Sequence, residues 1–135
     1  MKYFTLLMFI VLSCSSNLTK MSNSTLEAEG YKVYKIKSVE NYYLIYAKKN
    51  DSLYKIISKK ESIANCNEIK KNGIYDFKLQ AILKNRFKNT KFPKPMNDLD
   101  ITCFTFEGGI KICREEGMDE LYYADNIKGS CFLKK

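Results

Sequence analysis

The chain has 135 residues, with 23 Lys and Arg against 15 Asp and Glu, and a net charge of +8. It contains no histidine, which excludes Ser-His-Asp and Cys-His catalysis and histidine metal sites. Its basic residues are scattered, and only Arg86 and Arg114 carry the guanidinium suited to bidentate phosphate contacts, so the charge does not point to nucleic acid.

The chain opens with Met1-Lys2 and a run of mostly apolar residues, Tyr3 to Leu12. A membrane-spanning helix needs about 20 such residues, so this run is too short to span and suits the apolar region of a signal peptide. The run ends at Val11-Leu12-Ser13-Cys14, which resembles the lipobox of bacterial lipoprotein precursors. That resemblance implies removal of residues 1–13 and acylation, palmitate included, on the sulfur and new amino group of Cys14. Several acyl chains hold a protein stably at a membrane, whereas one is marginal. Residues 14–30 are poor in apolar side chains and lack aromatics, and so read as a flexible tether. Surface-displayed lipoproteins of Bacteroidetes often carry acidic residues directly after the Cys. Here none precedes Glu27, which leans toward an outer-membrane anchor facing the periplasm.

Beyond the tether, strand signals dominate. Tyr-, Val- and Ile-rich stretches begin at Tyr31, Tyr42 and Ser52, and Asn50-Asp51 supplies a turn, which predicts a hairpin of residues 42–48 and 52–58. Residues 61–73 read as a polar loop with room for one helical turn. In "IYDFKLQAIL", Tyr75, Phe77, Leu79 and Ala81 alternate with Asp76, Lys78 and Gln80, which predicts one strand with a wet face. A long loop runs from Lys84 to Asp100, broken by Pro93 and Pro95. Toward the C-terminus a strand is expected at Leu121–Ala124, with a short helix over 118–124 as the alternative, then a turn at Asp125-Asn126 and a last strand over 130–133. The expected fold is all-β, a small antiparallel barrel of five to seven short strands in one domain, residues 31–135. Its layout resembles an oligonucleotide/oligosaccharide-binding barrel.

Four cysteines remain beyond Cys14, an even number that suits disulfides in an exported chain. No Cys-x-x-Cys pair is present, so the usual zinc spacings are missing and no metal or other cofactor is expected. "ITCFTFEGGIKIC" reads as a hairpin. A three-residue loop, Glu107-Gly108-Gly109, sets Phe106 against Ile110 and Phe104 against Ile112, all on one face, and leaves Cys103 beside Cys113 on the other. They can bridge there if their pair is a non-hydrogen-bonded one. Cys66 and Cys131 are then partners. Their bridge would close a loop of about 65 residues, worth roughly 4 kcal/mol in the chain-entropy description.

Candidate chemistry is sparse. Carboxylates occur in close pairs, Asp98 with Asp100, Glu115 with Glu116 and Asp119 with Glu120, the only residues from which a hydrolase could be built. The pairs Tyr42-Tyr43 and Tyr122-Tyr123 place one member of each on an outer face, where it can stack on sugars or anchor a protein. Arg86, Phe87 and Phe92 lie in the densest basic patch, residues 84–94, a candidate binding loop. "DELYYADNIKGSCF" resembles the C-terminal part of small envelope lipoproteins of Bacteroidetes. That resemblance brings no catalytic residues; it implies an address. The expectation is a non-catalytic binding module, anchored at the membrane, whose partner is another envelope protein or a glycan.

Overall fold

The computed structural model describes residues 29–88 and 102–134. The residues expected to form a signal peptide and lipobox, most of the expected tether, Phe92, Asp98 and Asp100 lie outside the described residues.

The chain is all-β, as the alternation predicts. Three long strands come first: β1 (Tyr31–Val39), β2 (Tyr42–Lys49) and β3 (Ser52–Lys59). They form an antiparallel meander, and the predicted 42–58 hairpin is present with each strand one residue longer. Short strands come next: β4 (Asn67–Glu68), β5 (Ile74–Tyr75) and β6 (Leu79–Ala81). A six-residue helix, α1 (Ile82–Phe87), precedes β7 (Cys103–Thr105), β8 (Lys111–Cys113), β9 (Leu121–Ala124), β10 (Ile127–Lys128) and β11 (Cys131–Phe132). The main sheet has the order β5-β1-β2-β3-β9-β6, curled into a half-barrel that does not close, and β9 joins β3 in parallel.

The interior of the curl is recognisable from its lining. Tyr31, Val33, Ile36, Ile45, Ala47, Ile56, Tyr75, Leu79, Tyr122 and Ala124, drawn from all six strands, meet in one cluster with Phe77. The small sheet β10-β11-β4 contributes Ile127 and Phe132 to it, with Ile69 beside β4. A second cluster covers the opposite face. There Tyr42, Leu44, Tyr46, Ile57 and Leu121 pack under Ile82 and Leu83 of α1 and under Phe104, Phe106 and Ile112 of the β7–β8 hairpin. The central strands are therefore buried on both sides, which explains unbroken burial from Leu44 to Ala47 and from Lys55 to Ser58.

Four expectations are corrected. Residues 61–73 contain β4 and no helix. The stretch from Ile74 is two strands rather than one, because β5 pairs with β1 at one edge of the sheet and β6 with β9 at the other. The predicted loop from Lys84 begins within α1, since Ile82 and Leu83 face the core one turn from its start. Between the turn at Asp125-Asn126 and the last strand, which is present as β11, lies an unexpected strand, β10, and the two form a hairpin turning at Gly129. A Cβ on Gly129 would lie 2.5 Å from the Glu61 carbonyl oxygen, so glycine is required there.

Both expected disulfides form, Cys66–Cys131 and Cys103–Cys113. The hairpin register is the predicted one, Cys103 opposite Cys113 and Phe104 opposite Ile112, with Gly108 and Gly109 at positive φ. Arg114 N donates to Thr102 O (2.7 Å) and Phe106 N to Ile110 O (2.8 Å). Counting by twos from either bond makes Cys103/Cys113 a non-hydrogen-bonded pair, the kind in which side chains come closest.

The two edges of the sheet are joined by Asp76, Phe77 and Lys78, which pair with no strand. Four Cα steps separate Tyr75 from Leu79, so the edges stand within about 14 Å. Asn126, only 5% exposed, supplies the missing ladder: its Nδ2 donates to Asp76 O (2.7 Å), and its Oδ1 accepts from Lys78 N (2.8 Å). Asp125 N adds a bond to Lys78 O (2.9 Å). Replacing Asn126 by Ala orphans one donor and one acceptor, an expected loss of about 2 kcal/mol in chemical denaturation. Hydrogen exchange should speed up at the Lys78 amide while the Ile45 amide, deep in β2, stays protected; equal protection at Lys78 in both proteins would remove this role.

Candidate functional site

One polar group stands out from the apolar covering of the sheet's outer face. Lys55 is 4% exposed on β3. It shares a rung with Tyr46 of β2, which in turn lies opposite Lys35 of β1. A β-bulge between Val33 and Lys35 shifts the register of β1, and Tyr34 packs beside Tyr46 with ring centroids 6.0 Å apart. The second rung brings Lys37 opposite Leu44. The ammonium groups of Lys35, Lys55 and Lys37 lie 4.8, 5.4 and 5.8 Å from the centroid of the Tyr46 ring, within cation–π range.

Glu115 approaches from the segment that leaves β8. Its Oε1 accepts from the Tyr46 hydroxyl (2.6 Å) and from Lys55 Nζ (2.9 Å), and Lys55 also donates to the Cys113 carbonyl (2.8 Å). Hydrogen bonds from Tyr46 and then Lys55 hold the Glu115 carboxyl below its ordinary range. Burial, and after it the bond to Glu115, pushes the Tyr46 hydroxyl well above the usual tyrosine value, so it is a fixed donor. Burial and then Glu115 raise Tyr34 as well. Lys35 is lowered, chiefly by the neighbouring Lys37 ammonium. The cluster thus holds three ammonium groups and one carboxylate. Among the described residues, the ion pairs are Lys55–Glu115 and Lys59–Glu107, so Lys35 and Lys37 have no carboxylate within contact.

The sequence-derived candidates are distributed differently. Tyr42 is buried against Phe106, at 5.4 Å between centroids, which corrects any role for it as an exposed ring. Tyr123, 39% exposed, stands edge-on to Phe106 at 6.3 Å. Arg86 lies over Phe104 and donates to Thr105 O, near the same hairpin. Tyr122 turns inward onto Tyr54. Tyr43, half-buried, lines a shallow cleft beside the Cys66–Cys131 bridge, with the Lys60 ammonium over its ring at 5.4 Å. Of the two tyrosine pairs, only Tyr123 is exposed; Tyr43 is half-buried on the face of β2 that Ile45 and Ala47 share, and the two rings do not share a patch. The helical position of Phe87 is described and its side chain is not.

Of the candidate carboxylates, Glu115 belongs to the lysine cluster and Glu120 accepts from the Leu121 amide. Among the described residues no group of three or more Cys, Asp or Glu is placed to hold a metal ion, and no helix is long and apolar enough to cross a membrane. Lys35, Lys37, Tyr46 and Lys55 escaped sequence reasoning. One signal was available: Leu53, Lys55 and Ile57 share a face of β3, so a lysine sits where an apolar residue belongs.

No protein family, no curated protein and no solved structure matches the chain.

Glu115 yields a pH signature. Its folded pKa is depressed, so its contribution to stability is whole above the ordinary value of 4.5 and is lost as pH falls below that toward the folded value. Glu115→Gln keeps an acceptor but removes the charge opposite buried Lys55, an expected loss of about 1–2 kcal/mol near neutral pH. The carboxylate is partly exposed to solvent, which keeps the figure small. The gap between wild type and variant should shrink as unfolding is measured down to about pH 3. A gap that stays constant over that range would show that the carboxylate charge does not stabilise the fold.

Proposed function

We propose that the protein is a non-catalytic binding module of the bacterial cell envelope, anchored through acyl chains on Cys14 and presenting its β-domain to another envelope protein. The observation that carries this reading is the cysteine pairing. All four cysteines beyond the lipobox are consumed in two bridges, Cys66–Cys131 and Cys103–Cys113. Such bridges persist in oxidising compartments and are rare in cytosolic chains. A short apolar leader and the lipobox-like Val11-Leu12-Ser13-Cys14 precede them, residues 14–30 would serve as the tether, and no acidic residue of that tether precedes Glu27. The lack of acidic residues before Glu27 favours an outer-membrane anchor facing the periplasm.

Binding, rather than turnover, fits the outer-face cluster. Its carboxylate and its buried hydroxyl are tied to each other, and its spare groups are ammonium donors. A glycan site at Tyr43 is less favoured, because Lys60 lies over the ring that a sugar would stack on.

The test is the intact mass of the protein extracted from its native membranes, with and without reductant. The expected mass is that of the chain beginning at Cys14 plus acyl groups, with four hydrogens fewer before reduction, two for each bridge. Cys14→Ser should move the protein out of the membrane fraction. A full-length chain with free thiols would overturn the reading.

A further inference from the structure

The surplus charge on the outer face has a chemical meaning. Lys55 is answered by Glu115, and the Glu115 oxygen Oε1 is turned to Tyr46 and Lys55 by two hydrogen bonds. Lys35 and Lys37 remain, side by side on one face of β1, with no carboxylate in contact among the described residues. Their ammonium groups are gathered over the same aromatic ring as Lys55. Like charges held together in this way repel, and Glu115, which offsets part of this at Lys35, gives its hydrogen bonds to Tyr46 and Lys55. Lys37 is exposed, Lys35 half-buried, and the Glu115 side chain 43% exposed, so the cluster opens to solvent.

We propose that Lys35 and Lys37, backed by Lys55 and gathered over the Tyr46 ring, form a binding site for a phosphate monoester group. The charge count selects this class. Two unanswered ammonium groups match a phosphate monoester, which carries about −1.5 to −2 near neutral pH, whereas a carboxylate would answer only one of them. Lysine binds phosphate as a point charge and needs no planar fork. The Tyr46 ring beneath the ammonium groups favours their charged form and holds them in place, which lowers the ordering cost on binding. The neighbouring Lys37 already lowers Lys35, and a dianion between them would reverse that direction. The inference deepens the binding-module reading by naming the chemical group recognised. The phosphate belongs either to the free ion or to an ester such as a lipid or glycan headgroup.

A different role competes for the same lysines. β5 pairs with β1 only at Tyr31 and Lys32, so beyond Val33 the outer side of β1 has no strand partner among the described residues. Lysines on such an edge also serve to discourage pairing with another chain. The experiment separates the two.

The full chain, purified from whichever cell fraction holds it, is titrated at about 0.1 M salt with inorganic phosphate, glycerol 3-phosphate and acetate, with backbone amide shifts as the readout. Expected are saturable shifts at Lys35, Lys37 and Tyr46 with both phosphates and none with acetate. A double variant, Lys35→Gln with Lys37→Gln, should weaken phosphate binding about tenfold or more, since two charge-assisted bonds are lost. The control, Lys128→Gln with Lys111→Gln, removes two exposed charges elsewhere and should bind as wild type. Tighter binding of glycerol 3-phosphate assigns the site to an esterified headgroup; equal or weaker binding assigns it to the free ion. The inference is overturned if acetate binds equally, if both double variants lose affinity alike, or if Lys35→Gln with Lys37→Gln binds phosphate as before and instead self-associates. The intact mass that tests the envelope address is read separately, so either reading can fail without the other.

Discussion

The fold depends on a side-chain amide standing in for a strand. A six-stranded sheet that curls but stops short of closing must join its edges somehow, and here the chain itself crosses the gap through Asp76, Phe77 and Lys78. Those residues have backbone groups and no neighbouring ladder. Asn126 answers one donor and one acceptor at once from two separate atoms, Oδ1 and Nδ2, which an ionised carboxylate, an acceptor only, cannot do. With the seam held, Phe77 turns inward at 3% exposure and stacks on Tyr75, at 5.3 Å between centroids. The same crossing explains why the interior is filled by Phe, Tyr and Ile around small residues such as Val33 and Ala47: the curl is tight enough to be packed solid.

Curling gives the sheet two unlike faces, and both are covered. The concave face fills itself with help from β10, β11 and β4, which the Cys66–Cys131 bridge ties together across the Cys131–Glu68 pairing. The convex face needs an outside cover, which α1 and the β7–β8 hairpin supply. That cover runs out toward β1, where along the rung of Tyr46 and Lys55, both buried, Lys35 is half-buried and its neighbour Lys37 is exposed. Where it stops, the strands carry long cationic side chains over one aromatic ring, and the apolar stems remain available to pack while the charged ends reach water. The candidate site is therefore the margin of the covered face, and its position is set by how far the hairpin extends.

The legible part of this architecture is the part with a period of two. β1 to β3, the Cys103–Cys113 register and the pairing of all four cysteines are consequences of alternation and turn chemistry. Alternation also places Tyr75, Phe77 and Leu79 on one face correctly, yet it cannot reveal that β5 and β6 belong to opposite edges. Side-chain direction is a local property, whereas ladder partners are set by tertiary topology. Helix α1 is hidden because six residues give too little periodicity to recognise. The cluster at Tyr46 is hidden for another reason: its members come from four separate segments, and only Glu115, already a candidate carboxylate, has a chemical reason to be singled out. Lys55 is a visible anomaly on the apolar face of β3. Lys35 and Lys37 look like any solvated lysines until register sets them beside it.

The β7–β8 bridge links cysteine oxidation to the site. Cys113 is bonded through sulfur to Cys103, and its carbonyl accepts from Lys55. Glu115 stands two residues later, and a turn from Glu115 O to Met118 N, at 3.1 Å, carries the chain back into the core, where Met118 is buried. The one carboxylate in contact with the lysine rung is thus held between a covalent staple and a buried methionine. Loosening the staple would free the segment that both partners of Lys55 come from, its carbonyl and its carboxylate, and a buried ammonium that loses its partners is costly. Lys55 is unlike Lys35 and Lys37 in this respect: its charge is tolerable only because the oxidised hairpin keeps acceptors in front of it. The disulfide thereby decides how many positive charges the rim presents unanswered, which makes the electrostatic character of this face a consequence of the oxidised hairpin.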